Sequence, residues 1–328
     1  MTSFWTETKR TTEECACANP HADALIIQKS IQGIRENEQT LISIITARCY
    51  SQRQLIIKEY RKITGKELKD DLKTNITLNF ERLVKALITS PATFDAKQLK
   101  KAMESYESDK SIMIEILTTR NNKQLKELSE AYFNEYKKNL LDDINSGTTG
   151  YFRKALILLT EGKRDESLEV NKNLAKQDAQ SLYEAGERKW GTDEEKFIEI
   201  LCLRSFSQLR LIFEEYKIIS HREIEESIKR EIAGHLAELL LAIVNCVKNT
   251  AGFFAEKLYK ALKGTETDKW ALDRIIVSRS ETDLLDIQTA YKKQYGSSLH
   301  SAIQTSQTHV SGHYKTGLMN VIKMSEGR

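Results

Sequence analysis

Apolar residues recur along the chain at intervals of three and four, which is the period of an amphipathic α-helix. The pattern is fullest between residues 197 and 247, where the apolar positions are Phe197, Ile200, Leu201, Leu209, Ile212, Phe213, Ile224, Ile228, Leu236, Leu239, Leu240, Ile243, Val244 and Val247. No stretch shows the sustained alternation of apolar and polar residues typical of a β-strand, and only two prolines interrupt the helical pattern. The pattern therefore predicts an all-α protein.

The helical pattern is copied four times. Each copy has an arginine at the end of an apolar run and a tyrosine twelve residues later, in the pairs Arg48 and Tyr60, Arg120 and Tyr132, Arg204 and Tyr216, and Arg279 and Tyr291. The arginines lie 72, 84 and 75 residues apart, about twice the length of a tetratricopeptide repeat. Copied units bury their apolar faces against their neighbours, so each copy is predicted to be a small domain of four or five helices.

The repeats divide the chain into six predicted segments. These are a tail at 1–19, repeats at 20–91 and 92–163, a connector at 164–174, and repeats at 175–250 and 251–323. The charged run from Glu161 to Asn173 predicts a hinge between the second and third repeats. Asp23, Asp95 and Asp178 fall in the predicted first helices of three copies, where we expect an acid near the helix N-terminus to offset the helix dipole.

Composition predicts a soluble cytoplasmic protein. The chain has 328 residues, of which 30% are charged, and no apolar run approaches the roughly 20 residues of a transmembrane helix. Five cysteines, an odd number, are scattered along the chain, which favours unpaired thiols in a reducing compartment. The net charge of +3 from 50 basic and 47 acidic residues is too balanced for a nucleic-acid-binding protein.

One loop carries candidate chemistry. Between the first two predicted helices of the third copy the chain runs Gly-Glu-Arg-Lys-Trp-Gly-Thr-Asp from Gly186 to Asp193, and Glu231 follows forty residues after Gly191. Glycines at both ends of a tight loop allow its carbonyl groups to turn inward, and carbonyl oxygens with one bidentate carboxylate suit a hard Ca²⁺ ion. From this spacing alone, a glycine helix cap and a surface glutamate remain the favoured interpretation.

The fourfold copy, the helix ends LTTR and LCLR, and the runs KWGTDEEKF and SRSETDLLDI resemble the annexin family over residues 20 to 323. The resemblance implies a curved, right-handed superhelical disc of four repeats with five helices each, whose calcium loops dock onto acidic phospholipid. It implies that Ca²⁺ is bound by the carbonyls of Gly186, Lys189 and Gly191 and by the carboxylate of Glu231. Trp190 is then expected to contact the membrane at the headgroup region.

The other three copies depart from the family pattern. Arg35 replaces the second glycine of the first loop, and Asn75 stands at its acid position. The second loop, Met103 to Ser108, has Gly147 at the acid position, and the fourth, Leu262 to Thr267, has Ser306 by a straight count or His309 if three residues are inserted. Calcium binding is therefore expected mainly in the third repeat. The alternative is a degenerate annexin acting as a calcium-independent membrane or protein-interaction scaffold.

Four charged residues resemble those lining the central channel of annexins: Asp95, Glu115, Arg120 and Arg274. Buried charges must be paired, so an ion-pair network that fixes the two halves is the favoured alternative. Trp270 follows the fourth loop and is expected to pack against the protein at least as readily as to contact lipid.

The sequence contains no H-E-x-x-H pattern, no G-x-S-x-G elbow and no phosphate-binding G-x-x-x-x-G-K loop, so we expect no enzymatic activity. In an annexin, Trp5 of the tail would fold back against the core, and the tail could bind a protein partner. The resemblance further implies a cytoplasmic protein that associates peripherally with membranes.

Overall fold

The structure, a computed structural model, describes residues 19–32, 38–75, 78–104, 109–186, 191–264, 266–306 and 312–326. The first two repeats contain α1 (Pro20–Gln32), α2 (Glu38–Ala47), α3 (Tyr50–Thr64), α4 (Leu68–Asn75), α5 (Leu78–Ile88), α6 (Pro91–Glu104), α7 (Lys110–Thr119), α8 (Asn122–Tyr136), α9 (Leu140–Gly147) and α10 (Gly150–Thr160). The last two contain α11 (Lys172–Ala185), α12 (Glu194–Leu203), α13 (Phe206–Ser220), α14 (Ile224–Glu231), α15 (Gly234–Lys263), α16 (Lys269–Arg279), α17 (Leu284–Tyr295), α18 (Leu299–Thr305) and α19 (Gly312–Glu326). The all-α prediction is confirmed.

The residues that recur at fixed distances from the repeat arginine occupy equivalent places in the helices of each repeat. The residue twenty positions after the arginine begins the fourth helix and is buried in all four cases: Leu68, Leu140, Ile224 and Leu299. The four tyrosines lie toward the end of the third helix and are also buried. The spacing persists because the same helix packing is built four times, with five helices in each repeat.

The longest helical run, α15, consists of two helices. Asn249 has φ −163° and ψ 90°, which is not helical, so the run divides into 234–248 and 250–263. Among the described helices, this run alone has the length and apolar composition needed to cross a membrane. However, 56% of its most apolar window is buried in the protein. Leu239, Leu240 and Ile243 are fully buried. These side chains belong to the protein core.

The chain forms two compact units. The first contains the described residues up to Ser90 and from Phe254 onward, and the second is Pro91–Phe253. In the first unit, α19 packs on α2 and α5. Inside it, the buried Arg53 donates hydrogen bonds to the carbonyls of Ile45 at 2.8 Å and Leu87 at 3.1 Å. Such bonds satisfy helix-end carbonyls that have no partner within their own helix.

The second unit holds the second and third repeats together with the connector between them. Arg164 of the connector donates to the carbonyls of Leu201 at 2.7 Å and Arg204 at 2.8 Å. On the other side, the side chain of Asn122 donates to the carbonyl of Arg164 at 2.7 Å. Both repeats therefore bind the connector, an arrangement that its charged composition did not predict. A hinge at this connector stays a prediction.

An ion pair fastens the first helix of a repeat to the end of its second helix. Arg48 binds Asp23, Arg120 binds Asp95 and Arg204 binds Asp178, each through two hydrogen bonds of 2.7 to 3.2 Å. Asp95 and Asp178 lie beyond the first turns of α6 and α11, where the dipole effect has faded. The helix-dipole interpretation is thus wrong for these two residues, which neutralise the arginine of their own repeat.

The fourth repeat has different contacts in place of this aspartate–arginine ion pair. Phe254 stands 25 residues before Arg279, at the position that Asp95 has before Arg120. The Arg279 guanidinium lies 4.7 Å from the centroid of the Phe254 ring and donates to Asp283 at 2.7 Å. A cation–π contact and an ion pair within the next turn therefore take the place of the aspartate.

Candidate functional site

The predicted loop of the third repeat is closed at its base by hydrogen bonds. The backbone N–H of Asp193 donates to the carbonyl of Ala185 at 2.9 Å, joining the end of α11 to the start of α12. The Asp193 carboxylate accepts from the N–H of Lys196 at 3.2 Å and caps α12. Aspartate is a favoured N-cap because it satisfies an N–H that has no helical partner. The loop ends are thus held together.

The two predicted glycines meet different requirements. Gly191 has φ +86°, a conformation that side chains with a Cβ rarely adopt, and no atom lies within 4 Å of where a Cβ would stand. Gly186 has φ −104° and ψ −83°, and a Cβ there would lie 3.4 Å from the Phe197 ring. Conformation therefore favours glycine at 191, whereas a Cβ at 186 would make an ordinary van der Waals contact with the Phe197 ring.

Glu231 lies beside this loop although it is forty residues away in sequence. The hydroxyl of Thr192 donates to the backbone carbonyl of Glu231 at 3.0 Å, which ties the loop to the end of α14. Glu231 is half-buried, and within the described residues its carboxylate has no hydrogen-bond or ion-pair partner. The structure therefore brings Gly186, Gly191 and Glu231 into one region. Lys189 and Trp190 lie outside the described residues.

The donor set of this region fits a hard cation. In the described part of the chain, no group of three or more histidine, cysteine, aspartate or glutamate side chains could hold a metal ion. A metal here would consequently need backbone carbonyls together with the single carboxylate of Glu231. Calcium accepts such mixed oxygen ligands, whereas zinc prefers nitrogen and sulfur.

The second repeat has cations at the corresponding place. The Lys110 ammonium donates to the carbonyl of Gly147 at 3.1 Å, and Gly147 stands where the third repeat has Glu231. Arg153 Nε donates to the next carbonyl, that of Thr148, at 2.6 Å. Burial lowers the pKa of Lys110. Sequence reasoning missed both cations, although Lys110 precedes Arg120 by the same ten residues that separate Glu194 from Arg204.

In the first and fourth repeats, the structure describes fewer of the residues at the corresponding positions. Asn75 ends α4, but its side chain, Arg35 and His309 lie outside the described residues. In the fourth repeat, the N–H of Asp268 donates to the carbonyl of Ala261 at 2.9 Å, as Asp193 does in the third. That loop has Glu266 in place of Gly191, so it keeps the closing bond without the glycine.

Trp270 packs on an arginine. The Arg82 guanidinium lies 4.4 Å from the centroid of the Trp270 ring, which is 48% exposed. Arg82 also donates to Asp273 at 2.5 Å, and Tyr314 donates to the same carboxylate at 2.7 Å. Burial raises the pKa of Asp273 to about 6 despite these partners. The contact with Arg82 accounts for the position of Trp270.

The four charged residues predicted to line a channel are all buried. Asp95 and Arg120 form the pair described above, which joins two helices of one repeat and recurs in the first and third repeats. Glu115 lies on α7 in the same unit, and Arg274 lies on α16 in the other unit. A channel or an ion-pair network that involves Asp95, Glu115, Arg120 and Arg274 stays a prediction.

Comparison with known proteins identifies relatives of the whole chain. The family model "Annexin" matches residues 22–87, 94–159, 177–243 and 253–321. Human annexin A3 is 56% identical over 321 residues, covering 98% of each chain. A solved structure of annexin III superposes with a TM-score of 0.91 at 57% identity over 94% of each chain. A calcium-bound structure of annexin (Sm)1 gives 0.82 at 30% identity, covering 93% of this chain and 90% of its own.

Proposed function

The chain belongs to the annexin family, and from that premise we propose that its third repeat mediates calcium-dependent binding to acidic phospholipid membranes. Annexins in general are calcium-dependent phospholipid-binding proteins that are not enzymes. The proposal for this chain is supported chiefly by one observation. Glu231, whose carboxylate has no partner among the described residues, is tied to the glycine loop because its backbone carbonyl accepts a hydrogen bond from Thr192.

In this proposal the carbonyls of Gly186, Lys189 and Gly191 and the carboxylate of Glu231 hold the calcium ion. The bound ion supplies positive charge that attracts lipid phosphate. Gly191 adopts the positive φ that the loop requires, and Thr192 fixes the end of α14 so that Glu231 stays beside the loop. Trp190 adds an aromatic contact at the headgroup level.

We further propose that the other three repeats contribute little calcium binding. The second repeat has Gly147 in place of the carboxylate, with the Lys110 ammonium on its carbonyl. The first has Asn75 at that position, and the fourth has Ser306 or His309. The protein would then be cytoplasmic and peripherally associated with membranes, with repeats at 20–91, 92–163, 175–250 and 251–323. The tail, 1–19, would be the segment through which a protein partner binds.

Sedimentation with phosphatidylserine vesicles across a calcium series, at about 0.15 M salt, tests the proposal. Wild-type protein should pellet with calcium and remain in solution with chelator. Glu231→Gln keeps the size of the side chain but removes its charge and bidentate ligation, so about tenfold more calcium or more should be needed.

The matched control is Glu226→Gln, an exposed glutamate on the same helix, which should bind as wild type does. If Glu231→Gln pellets like wild type at every calcium concentration, the third loop is not the operative site. Binding that is equal with calcium and chelator would support the calcium-independent scaffold instead.

A further inference from the structure

Two basic side chains cover consecutive backbone carbonyls where α9 turns into α10. Lys110 Nζ lies 3.1 Å from the carbonyl oxygen of Gly147, and Arg153 Nε lies 2.6 Å from that of Thr148. We call Lys110, Gly147, Thr148 and Arg153 the cationic turn. It occupies the place in the second repeat where the third repeat has its candidate calcium ligand.

Among the residues that the structure describes, neither cation of this turn has a carboxylate partner, and Lys110 and Arg153 are both half-exposed. Burial lowers the pKa of Lys110. An ammonium has three N–H donors and a guanidinium five, so each group keeps donors free after binding its carbonyl.

The charges are inverted between the two repeats. Ten residues before the repeat arginine, the second repeat has Lys110 and the third has Glu194. Thirty-three residues after it, the second has Arg153 and the third has Ala237. With Gly147 in place of Glu231, the second repeat presents two positive charges where the third presents two negative ones. Because Glu194 and Glu231 are negative, the third repeat needs a bound cation to attract an anionic surface. The second repeat already has positive charge in Lys110 and Arg153.

The cationic turn lies beside the third loop within the same unit. Lys154 on α10 binds Glu195 on α12 at 2.7 Å, and the Phe152 ring lies 5.5 Å from the ring of His235. Glu195 follows Asp193 of the loop by two residues, and His235 follows Glu231 by four. A membrane held at the third loop is therefore next to the cationic turn.

We propose that the cationic turn binds the phosphate groups of acidic phospholipids without calcium. The positive charge that a calcium ion would supply in the third repeat is supplied here by Lys110 and Arg153. The choice of a membrane as the partner rests on the proposed function, but the binding at this turn does not require calcium. The chain thus combines a calcium-dependent contact with an adjacent calcium-independent one.

The test measures binding of the full chain to vesicles of phosphatidylserine and phosphatidylcholine in chelator, at about 0.02 M salt, where screening is weak. Wild-type protein should bind, and the binding should vanish near 0.5 M salt. Each basic residue near an anionic surface strengthens binding about fivefold, so Lys110→Gln with Arg153→Gln should weaken it about thirtyfold. Lys110→Arg keeps the charge and should bind as wild type does.

The charge-matched control is Lys172→Gln with Lys176→Gln. Both lysines are exposed and lie in the first half of α11, a 14-residue helix about 20 Å long whose far end leads to the third loop. The control should retain wild-type binding in chelator. Equal weakening in the control, or no wild-type binding in chelator, would overturn the proposal. So would a Lys110 and Arg153 double variant that binds normally.

The two proposals fail separately. Calcium-dependent pelleting of the Lys110 and Arg153 double variant at about 0.15 M salt shows that it is folded and that the third loop works without the cationic turn. If Glu231→Gln is normal with calcium while the double variant loses binding in chelator, the proposed calcium site fails and the cationic turn stands. The reverse pattern removes the cationic turn alone.

Discussion

The second and third repeats are built alike in their interiors and differently at the loop. Both pair an aspartate of the first helix with the repeat arginine, Asp95 with Arg120 and Asp178 with Arg204. Both cap the second helix with an aspartate, Asp109 and Asp193. At the position where the third repeat has Glu231, however, the second repeat has Gly147, and the Gly147 carbonyl accepts a hydrogen bond from Lys110.

This difference shows which parts of a repeat tolerate change. Asp95 and Arg120 are both buried, and Asp178 is buried beside a partly exposed Arg204, so loss of one partner carries a desolvation penalty that increases with burial. The loop positions are half-exposed, and water can solvate a new charge there at little cost to stability. Binding chemistry can therefore change in one repeat while its helices stay in place.

The largest expected effect is on the free energy of unfolding. It compares the aspartate–arginine pairs inside the second and third repeats. Asp95→Asn removes the carboxylate from Arg120, whose side chain is 3% exposed, and should lower the free energy of unfolding by about 3–5 kcal/mol. Asp178→Asn should lower it by about 1–2 kcal/mol, because Arg204 is 29% exposed and water can solvate its guanidinium. Urea denaturation measures both, and equal losses would contradict the difference in burial.

A second prediction converts the third loop to the composition of the second. Glu194→Lys combined with Glu231→Gly should weaken calcium-dependent vesicle binding about a hundredfold, since the ion loses its carboxylate and meets a positive charge. Binding in chelator at low salt should rise by about fivefold. Vesicle sedimentation with and without calcium measures both effects. A variant that keeps its calcium dependence would break the comparison between the repeats.

The sequence predicted the fold well for a physical reason. Helix periodicity and a repeated register are local or periodic features, so the five-helix repeats and the buried Leu68, Leu140, Ile224 and Leu299 follow from spacing. The glycine loop and Glu231 can also be located by spacing, but spacing alone favoured a helix cap and a surface glutamate, and their assignment as calcium ligands came from the resemblance to the annexin family.

The features that sequence reasoning missed depend on contacts between distant residues. The Asp–Arg pairs join side chains 25 or 26 residues apart, and a dipole interpretation considered only the local helix. Lys110 meets a backbone carbonyl 37 residues away, and a carbonyl leaves no mark in the sequence. The connector was interpreted from its charged composition, which does not show that Arg164 donates to backbone carbonyls about 40 residues away, those of Leu201 and Arg204.

A third prediction concerns a carboxylate that the second repeat has and the third lacks. Burial would raise the pKa of Asp143, but hydrogen bonds from Tyr132 and Lys100 outweigh it and lower the pKa. The third repeat has Ser227 at this register position. Asp143→Asn should therefore lower the free energy of unfolding by about 1–2 kcal/mol at neutral pH.

The same group has a defined pH dependence. An acid whose pKa is lowered by folding stabilises the protein above its ordinary pKa, near 3.9, and the stabilisation is lost as pH falls through the lower folded value. The difference between wild type and Asp143→Asn, from urea denaturation at several pH values, should be constant above about pH 5 and shrink toward pH 3. A difference that grows on acidification would refute the assignment.

The smallest predicted effect separates the ion from the aromatic contact in the third repeat. Trp190→Ala should weaken binding to phosphatidylserine vesicles about two- to fivefold in calcium, because it removes an interfacial side chain and leaves the carboxylate in place. The calcium concentration at half-maximal binding should shift less than for Glu231→Gln. If Trp190→Ala has the larger effect of the two, Glu231 is not the main ligand.

The central claim is that the third repeat holds the calcium site and the second repeat does not. Crystals of the protein grown in millimolar calcium would test it directly by showing where the ions bind. We expect an ordered ion coordinated by both carboxylate oxygens of Glu231, with Lys110 Nζ still on the Gly147 carbonyl and no ion beside it. An ordered ion at Gly147, or none at Glu231, would contradict the claim.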